Sequence, residues 1–95
     1  MDLGNAFGKV LKEHRKRAGL TQEELAFRAN MHPTAISFYE RGMRQPTLYS
    51  VFVIAEVLAI KASALVAELE GVQAPASGFD ELSQVKSGAA ESDQE

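Results

Sequence analysis

The sequence predicts an all-α fold: a compact bundle of five short helices followed by a C-terminal tail. Three observations carry that reading. Apolar residues recur at spacings of three and four from Phe7 to Leu69. Residues that start or stop helices fall between those runs, with Thr21 and Thr47 as starts and Gly19, Asn30 and Gly42 as stops. From Gly71 the stretch GVQAPASGF breaks the pattern and reads as a linker. The 95 residues, 45% of them hydrophobic, fit one small domain with a modest core. Residues 1–70 are therefore assigned to the bundle. Residues 71–95 are assigned to a linker and an acidic, largely disordered tail, with Phe79, Leu82 and Val85 marking room for a short helix near 79–86.

The first helix is expected from about Asn5 to the stop at Gly19, with Phe7, Val10, Leu11, His14 and Ala18 on one face. Its basic run, Lys12 to Arg17, reads two ways. Cations suit the negative end of a helix, and Lys12, Lys16 or Arg17 could equally touch phosphates. The second helix opens on Thr21 with Glu24 three residues on, a capping box, and buries Leu25, Ala26 and Ala29. The turn falls at Asn30-Met31-His32, where Asn tolerates the left-handed conformation. Pro33 starts the third helix, since a first-turn position has no N–H to lose. Ile36 and Tyr39 extend the apolar stripe, and Gly42 ends it. Helix, sharp turn and helix at this length form the unit that places its second helix in a DNA major groove.

Thr47 caps a fourth helix from Leu48 to about Ala59. Leu48, Val51, Phe52, Ala55 and Leu58 are expected to face inward, and Tyr49, Val53, Ile54 and Val57 outward. A helix apolar nearly all round is buried on more than one side. The second side, through Tyr49, Val53 and Val57, is assigned to a partner chain, the alternative being a C-terminal segment that folds back over it. The fifth helix runs from about Ala62 to Glu70, with Ala62, Leu65, Val66 and Leu69 inward. It lacks a good cap, and Ser63 is a candidate for a slightly later start.

The net charge of −3 hides a polarised chain. Residues 1–50 carry eight Lys and Arg against five acids, and residues 71–95 carry Lys86 against five acids. The excess of +3 in the first half permits a nucleic-acid partner without demanding one. With no Cys, disulfides and thiolate metal sites are excluded. His14 and His32 have no ligand cluster around them, so no metal is expected. No signal peptide or membrane span is legible. The expectation is a cytoplasmic protein with no cofactor, no small-molecule ligand and no membrane partner.

From Phe7 to Leu69 the chain resembles the phage repressor and Cro type of helix-turn-helix domain, the XRE-like family with a lambda-repressor-like bundle. The matching residues are Arg15, Gly19-Leu20-Thr21-Gln22-Glu23-Glu24-Leu25-Ala26, Ile36-Ser37, Glu40-Arg41-Gly42, Pro46-Thr47-Leu48, Ala55 and Leu58. The resemblance implies a sequence-specific, double-stranded-DNA-binding transcriptional regulator that acts as a homodimer on an inverted repeat. By position, it implies base contacts from His32, Pro33, Thr34, Ser37 and Phe38. It implies phosphate contacts from Gln22, through its side chain with helix N-terminal N–H groups assisting, and from Arg41, Arg44, Lys16 and Arg17, and a structural ion pair between Arg15 and Glu40.

The chain departs from the family pattern at four points. Asn30 stands where Gly is usual, His32 where Ser, Thr or Asp caps, and His14 where a large aliphatic packs. The outward positions of helix three also lack Arg, Lys, Asn and Gln, so direct base reading is modest. DNA shape, or Arg41 and Arg44, must supply the rest. His14 is expected to be partly buried and hydrogen-bonded. Phe27 is expected to be packed by a neighbouring segment or a protein. A second function class remains open: a protein-interaction module such as an antitoxin or anti-repressor, using helix four or the tail. No nucleophile–base pair or phosphate-binding glycine loop argues for an enzyme.

Overall fold

The computed structural model describes residues 2–72. The expected linker and tail, with the short helix near 79–86, lie almost wholly outside the described residues. Within them the chain forms five helices: α1 (Leu3–Arg17), α2 (Gln22–Arg28), α3 (Pro33–Glu40), α4 (Leu48–Val57) and α5 (Ala62–Val72). The first begins two residues earlier than its apolar spacing suggested, because Asp2 caps it: the Asn5 N–H donates to Asp2 Oδ1 at 2.8 Å. The capping box of α2 is complete, with Glu24 N–H on Thr21 Oγ1 at 3.0 Å and Thr21 N–H on Glu24 Oε1 at 2.8 Å. Thr47 caps α4 through the Ser50 N–H. Helix α5 starts at Ala62 as expected: the Lys61 carbonyl accepts from Ala64 and Leu65, and Ser63, the alternative start, lies exposed inside the helix.

Four helices end in the same way. Gly19, Asn30, Gly42 and Ala59 each take a left-handed conformation, with φ between +56° and +73°. In each, the following N–H reaches the carbonyl five residues back: Leu20 to Arg15, Met31 to Ala26, Met43 to Phe38 and Ile60 to Ala55. This double-bonded stop satisfies orphan carbonyls and turns the chain sharply. Repeated four times, it folds a short chain into a bundle.

The core runs through Phe7, Val10, Leu11, Leu25, Ala26, Ile36, Tyr39, Ile54, Ala55, Leu65 and Leu69. Helix α3 seats closely on α1 because Gly8 has no side chain. A Cβ there would stand 2.5 Å from the Tyr39 carbonyl oxygen and 2.6 Å from that of Glu40. Phe7 meets Tyr39 edge to face, ring centroids 6.0 Å apart. The structure corrects the inward set at several places. Ala18 is exposed at the end of α1, and Val66 is exposed on α5. On α4, Leu48 and Phe52 face outward, while Ile54 is fully buried. Val57 packs half-buried against the core. A helix apolar all round gives the period no face to choose, and contact with α2 and α5 decides it. Helices α4 and α5 meet at a bend of 107°, and among the described residues no single helix is long and apolar enough to cross a membrane.

Candidate nucleic-acid interface

One carboxylate joins three helices behind the exposed face of α3. Glu40, on its last turn, accepts from Arg15 Nε at 2.5 Å and Arg15 Nη2 at 3.0 Å. Its Oε1 also accepts from Gln22 Nε2 at 3.0 Å. The remaining arginine nitrogen, Nη1, donates to the Leu20 carbonyl at 2.8 Å and so holds the α1–α2 corner. The pair is sheltered, the two side chains being 10% and 3% exposed. Hydrogen bonding to Glu40 pushes the Arg15 guanidinium above its ordinary pKa, and burial only partly opposes this. Such a two-pronged pair is directional as well as attractive. It fixes the roll of α3 against α1 and α2. The role of Gln22 in this network was not legible in the sequence. Its side-chain nitrogen points inward, and what its helix offers outward is the backbone N–H of the first turn.

On α3 itself, His32, Pro33 and Thr34 are exposed and Ser37 is half-buried. His32 stands in for the missing Ser or Asp cap: its Nδ1 accepts from the Thr34 N–H at 3.2 Å, leaving Nε2 outward. Helix α3 therefore has a side-chain N-cap, which the residue type alone did not foretell. Phe38 is half-buried, and its ring carries two cations. Arg41 Cζ lies 5.3 Å and Arg44 Cζ 4.9 Å from the ring centroid. Lys12, Lys16 and Arg17 are exposed at the end of α1. None of Lys12, Lys16, Arg17, Arg41 and Arg44 forms an ion pair among the described residues, whereas Lys9 is paired with Glu13.

The second exposed surface belongs to α4. Leu48 (72% exposed), Tyr49 (77%) and Phe52 (58%) stand along one side. A groove of about 670 Å³ opens beside Tyr49, Phe52 and Val53 and runs to Ile60 and Lys61. Of the expected partner residues, Tyr49 and Val53 line this groove and Val57 does not. Leu48 and Phe52, expected inside, belong to the exposed face. His14 is nearly buried and lies 2.8 Å from Glu68 Oε2 on α5, a partner 54 residues away that no local pattern signals. Phe27 is 86% exposed, with no neighbouring segment over it among the described residues.

The helix-turn-helix family matches residues 11–65 of the chain. An uncharacterized HTH-type transcriptional regulator of Sinorhizobium fredii, y4dJ, is 33% identical over 60 residues, which is 63% of this chain and 78% of that one. The clp gene regulator ClgR from Corynebacterium glutamicum superposes with a TM-score of 0.74 at 25% identity, over 90% of each chain. The restriction-modification controller protein C.Esp1396I, crystallised as a tetramer in complex with its natural 35 base-pair operator, superposes with a TM-score of 0.68 at 30% identity. That similarity covers 76% of this chain and 95% of the controller.

Proposed function

The chain belongs to the helix-turn-helix family of DNA-binding transcriptional regulators, and from that premise we propose that it binds an inverted-repeat operator as a homodimer. In this reading α3 lies in the major groove. Thr34 and Ser37 hydrogen-bond base edges, with Pro33 and the free His32 nitrogen at the entry of the helix. Arg41 and Arg44 grip phosphates beyond α3, and Lys16 and Arg17 extend that footprint from the end of α1. Gln22 contributes through its backbone N–H at the start of α2. The observation that carries the reading is an α3 face with exposed Thr34 and half-buried Ser37, braced by Arg15 and Glu40, beside cations that form no ion pair among the described residues. Occupancy is the output: a bound dimer blocks or recruits polymerase.

The small set of base readers makes direct discrimination modest, so shape and symmetry carry part of the specificity. The decisive experiment is selection of bound duplexes from a random pool with the full chain. The expected result is an inverted repeat with half-site centres about one helical turn, roughly 10 bp, apart. Affinity for it should fall steeply with salt as counterions are released. A pool that enriches nothing, or binding indifferent to salt, overturns the proposal. The second reading, a protein-interaction module, draws on the exposed α4 face. It gains if the chain stays monomeric and ignores duplex DNA.

A further inference from the structure

The end of α3 gathers two cations on one aromatic ring. The Gly42 stop, left-handed at φ +72°, reverses the chain, and the Met43 N–H bonds the Phe38 carbonyl at 2.9 Å. That reversal returns Arg44 to the ring the chain has just left, 4.9 Å from its centroid, while Arg41 approaches to 5.3 Å. Arg41 Nε also donates to the Ser37 carbonyl at 3.4 Å. Neither guanidinium has an acidic partner among the described residues, so two like charges share one quadrupole without a counter-ion. An anion arriving there relieves their repulsion. It also meets side chains whose rotamer freedom is already reduced, which lowers the entropy lost on binding.

We infer that Phe38 is a positioning residue: its ring holds Arg41 and Arg44 as one preordered phosphate clamp, and it is not a reader of a thymine methyl group. The inference rests on the DNA-binding reading and assigns Phe38 a role in it. With guanidinium groups against the ring, affinity and salt dependence are what Phe38 controls, and base preference is what it leaves alone.

The test compares Phe38→Leu, which keeps apolar bulk but has no π face, with Phe38→Tyr, which keeps the face. In the free full-length protein, NMR should show ring-current shifts on the Arg41 and Arg44 side-chain protons in the parent and in Phe38→Tyr, and lose them in Phe38→Leu. Against a selected duplex, Phe38→Leu should bind about three- to tenfold more weakly at physiological salt. Its log–log salt slope should be shallower by roughly one, the equivalent of one phosphate contact, with the selected base sequence unchanged. Combining Phe38→Leu with Arg44→Gln should cost less than the two separate losses multiplied together. A thermal melt of each variant separates lost folding from lost binding. A Phe38→Leu variant that keeps the parental salt slope and changes preference at one base pair overturns the inference in favour of thymine reading. Absent ring-current shifts in the free parent overturn the stacking itself. Intact shifts in a parent that does not bind duplex DNA overturn the clamp together with the DNA-binding reading, and leave the stacking as a structural feature only.

Discussion

Glu40 concentrates the most structural consequence in a single side chain. Its carboxylate takes three hydrogen bonds from α1 and α2 and is nearly sealed from water. Replacing it with Ala strands the Arg15 charge. The expected cost is about 3–5 kcal/mol, the range for breaking a buried pair by removing one partner. The melting temperature of Glu40→Ala should fall by ten degrees or more, on the order of several degrees per kcal/mol for so small a domain. DNA affinity should fall with it, because α3 loses its brace. A melt unchanged from the parent would show that the brace is not structural. The same pair makes a pH prediction. The folded-state pKa of Arg15 is raised, so its contribution to stability is complete below the ordinary arginine pKa and is lost only when pH climbs through the higher folded value. The stability gap between parent and Glu40→Gln, read from denaturant curves, should therefore not shrink between neutrality and about pH 10. The Arg15–Glu40 pair was expected because the family resemblance implies it at these positions. The His14 contact with Glu68 was not, because a partner 54 residues away leaves no periodic trace.

At the scale of elements, helix ends and helix approaches follow different sequence signals. Thr21 with Glu24, and Gly19, Asn30 and Gly42, announce their caps and stops by residue type. Ala59 does not, yet it adopts φ +60° at the end of α4 and closes the same double-bonded turn. An L residue in that conformation costs about 1–2 kcal/mol, against which Gly loses some chain entropy. Ala59→Gly should accordingly stabilise the fold by about 0.5–1 kcal/mol, seen as a raised denaturation midpoint with an unchanged slope. A lowered midpoint would show that the turn carries no strain. Gly8 is the converse case, a glycine inside a helix pattern whose reason is a neighbour. A methyl group there enters the space of the Tyr39 and Glu40 carbonyls, where rigid backbone must give way. Gly8→Ala should cost about 1–3 kcal/mol and weaken DNA binding by pushing α3 off α1. Gly71→Ala, where an added Cβ meets nothing within 4 Å among the described residues, serves as its control and should be neutral or stabilising. Equal effects of the two substitutions would refute the close-approach argument. The inward face of α4 resisted reading for a related reason. Seven of its ten residues are Leu, Val, Ile, Phe or Ala, so the choice between Phe52 and Ile54 belongs to the neighbouring helices and not to the pattern.

At the scale of the molecule, the domain presents two exposed surfaces of different composition. The α3 face carries Thr34, Ser37 and the Phe38 ring and is flanked by cations. The α4 face is apolar, with Leu48, Tyr49 and Phe52 at its centre. Patches of this kind on a small domain mark contact with another protein. We propose that a second copy of the chain covers that patch and so sets a second α3 at a fixed distance from the first. The coupling has a measurable size. Joining two half-site contacts makes the second intramolecular, with gains of about 10²–10⁴ in overall affinity. The double substitution Tyr49→Asp with Phe52→Asp should convert a sedimenting dimer into a monomer while its circular dichroism remains helical, since neither side chain contributes to the core. Its affinity for a full inverted repeat should drop toward the affinity for a single half-site, by a factor within that range. The half-site affinity itself should change little. Phe27→Ser, which removes an even more exposed ring lying off this groove, should leave sedimentation unchanged. If the double variant still sediments as a dimer, the symmetric contact lies on another face, and the α4 groove is then free for a different protein. If it becomes monomeric yet binds the full repeat as tightly as the parent, dimerisation and DNA recognition are independent, and the spacing of the two recognition helices has no role in affinity.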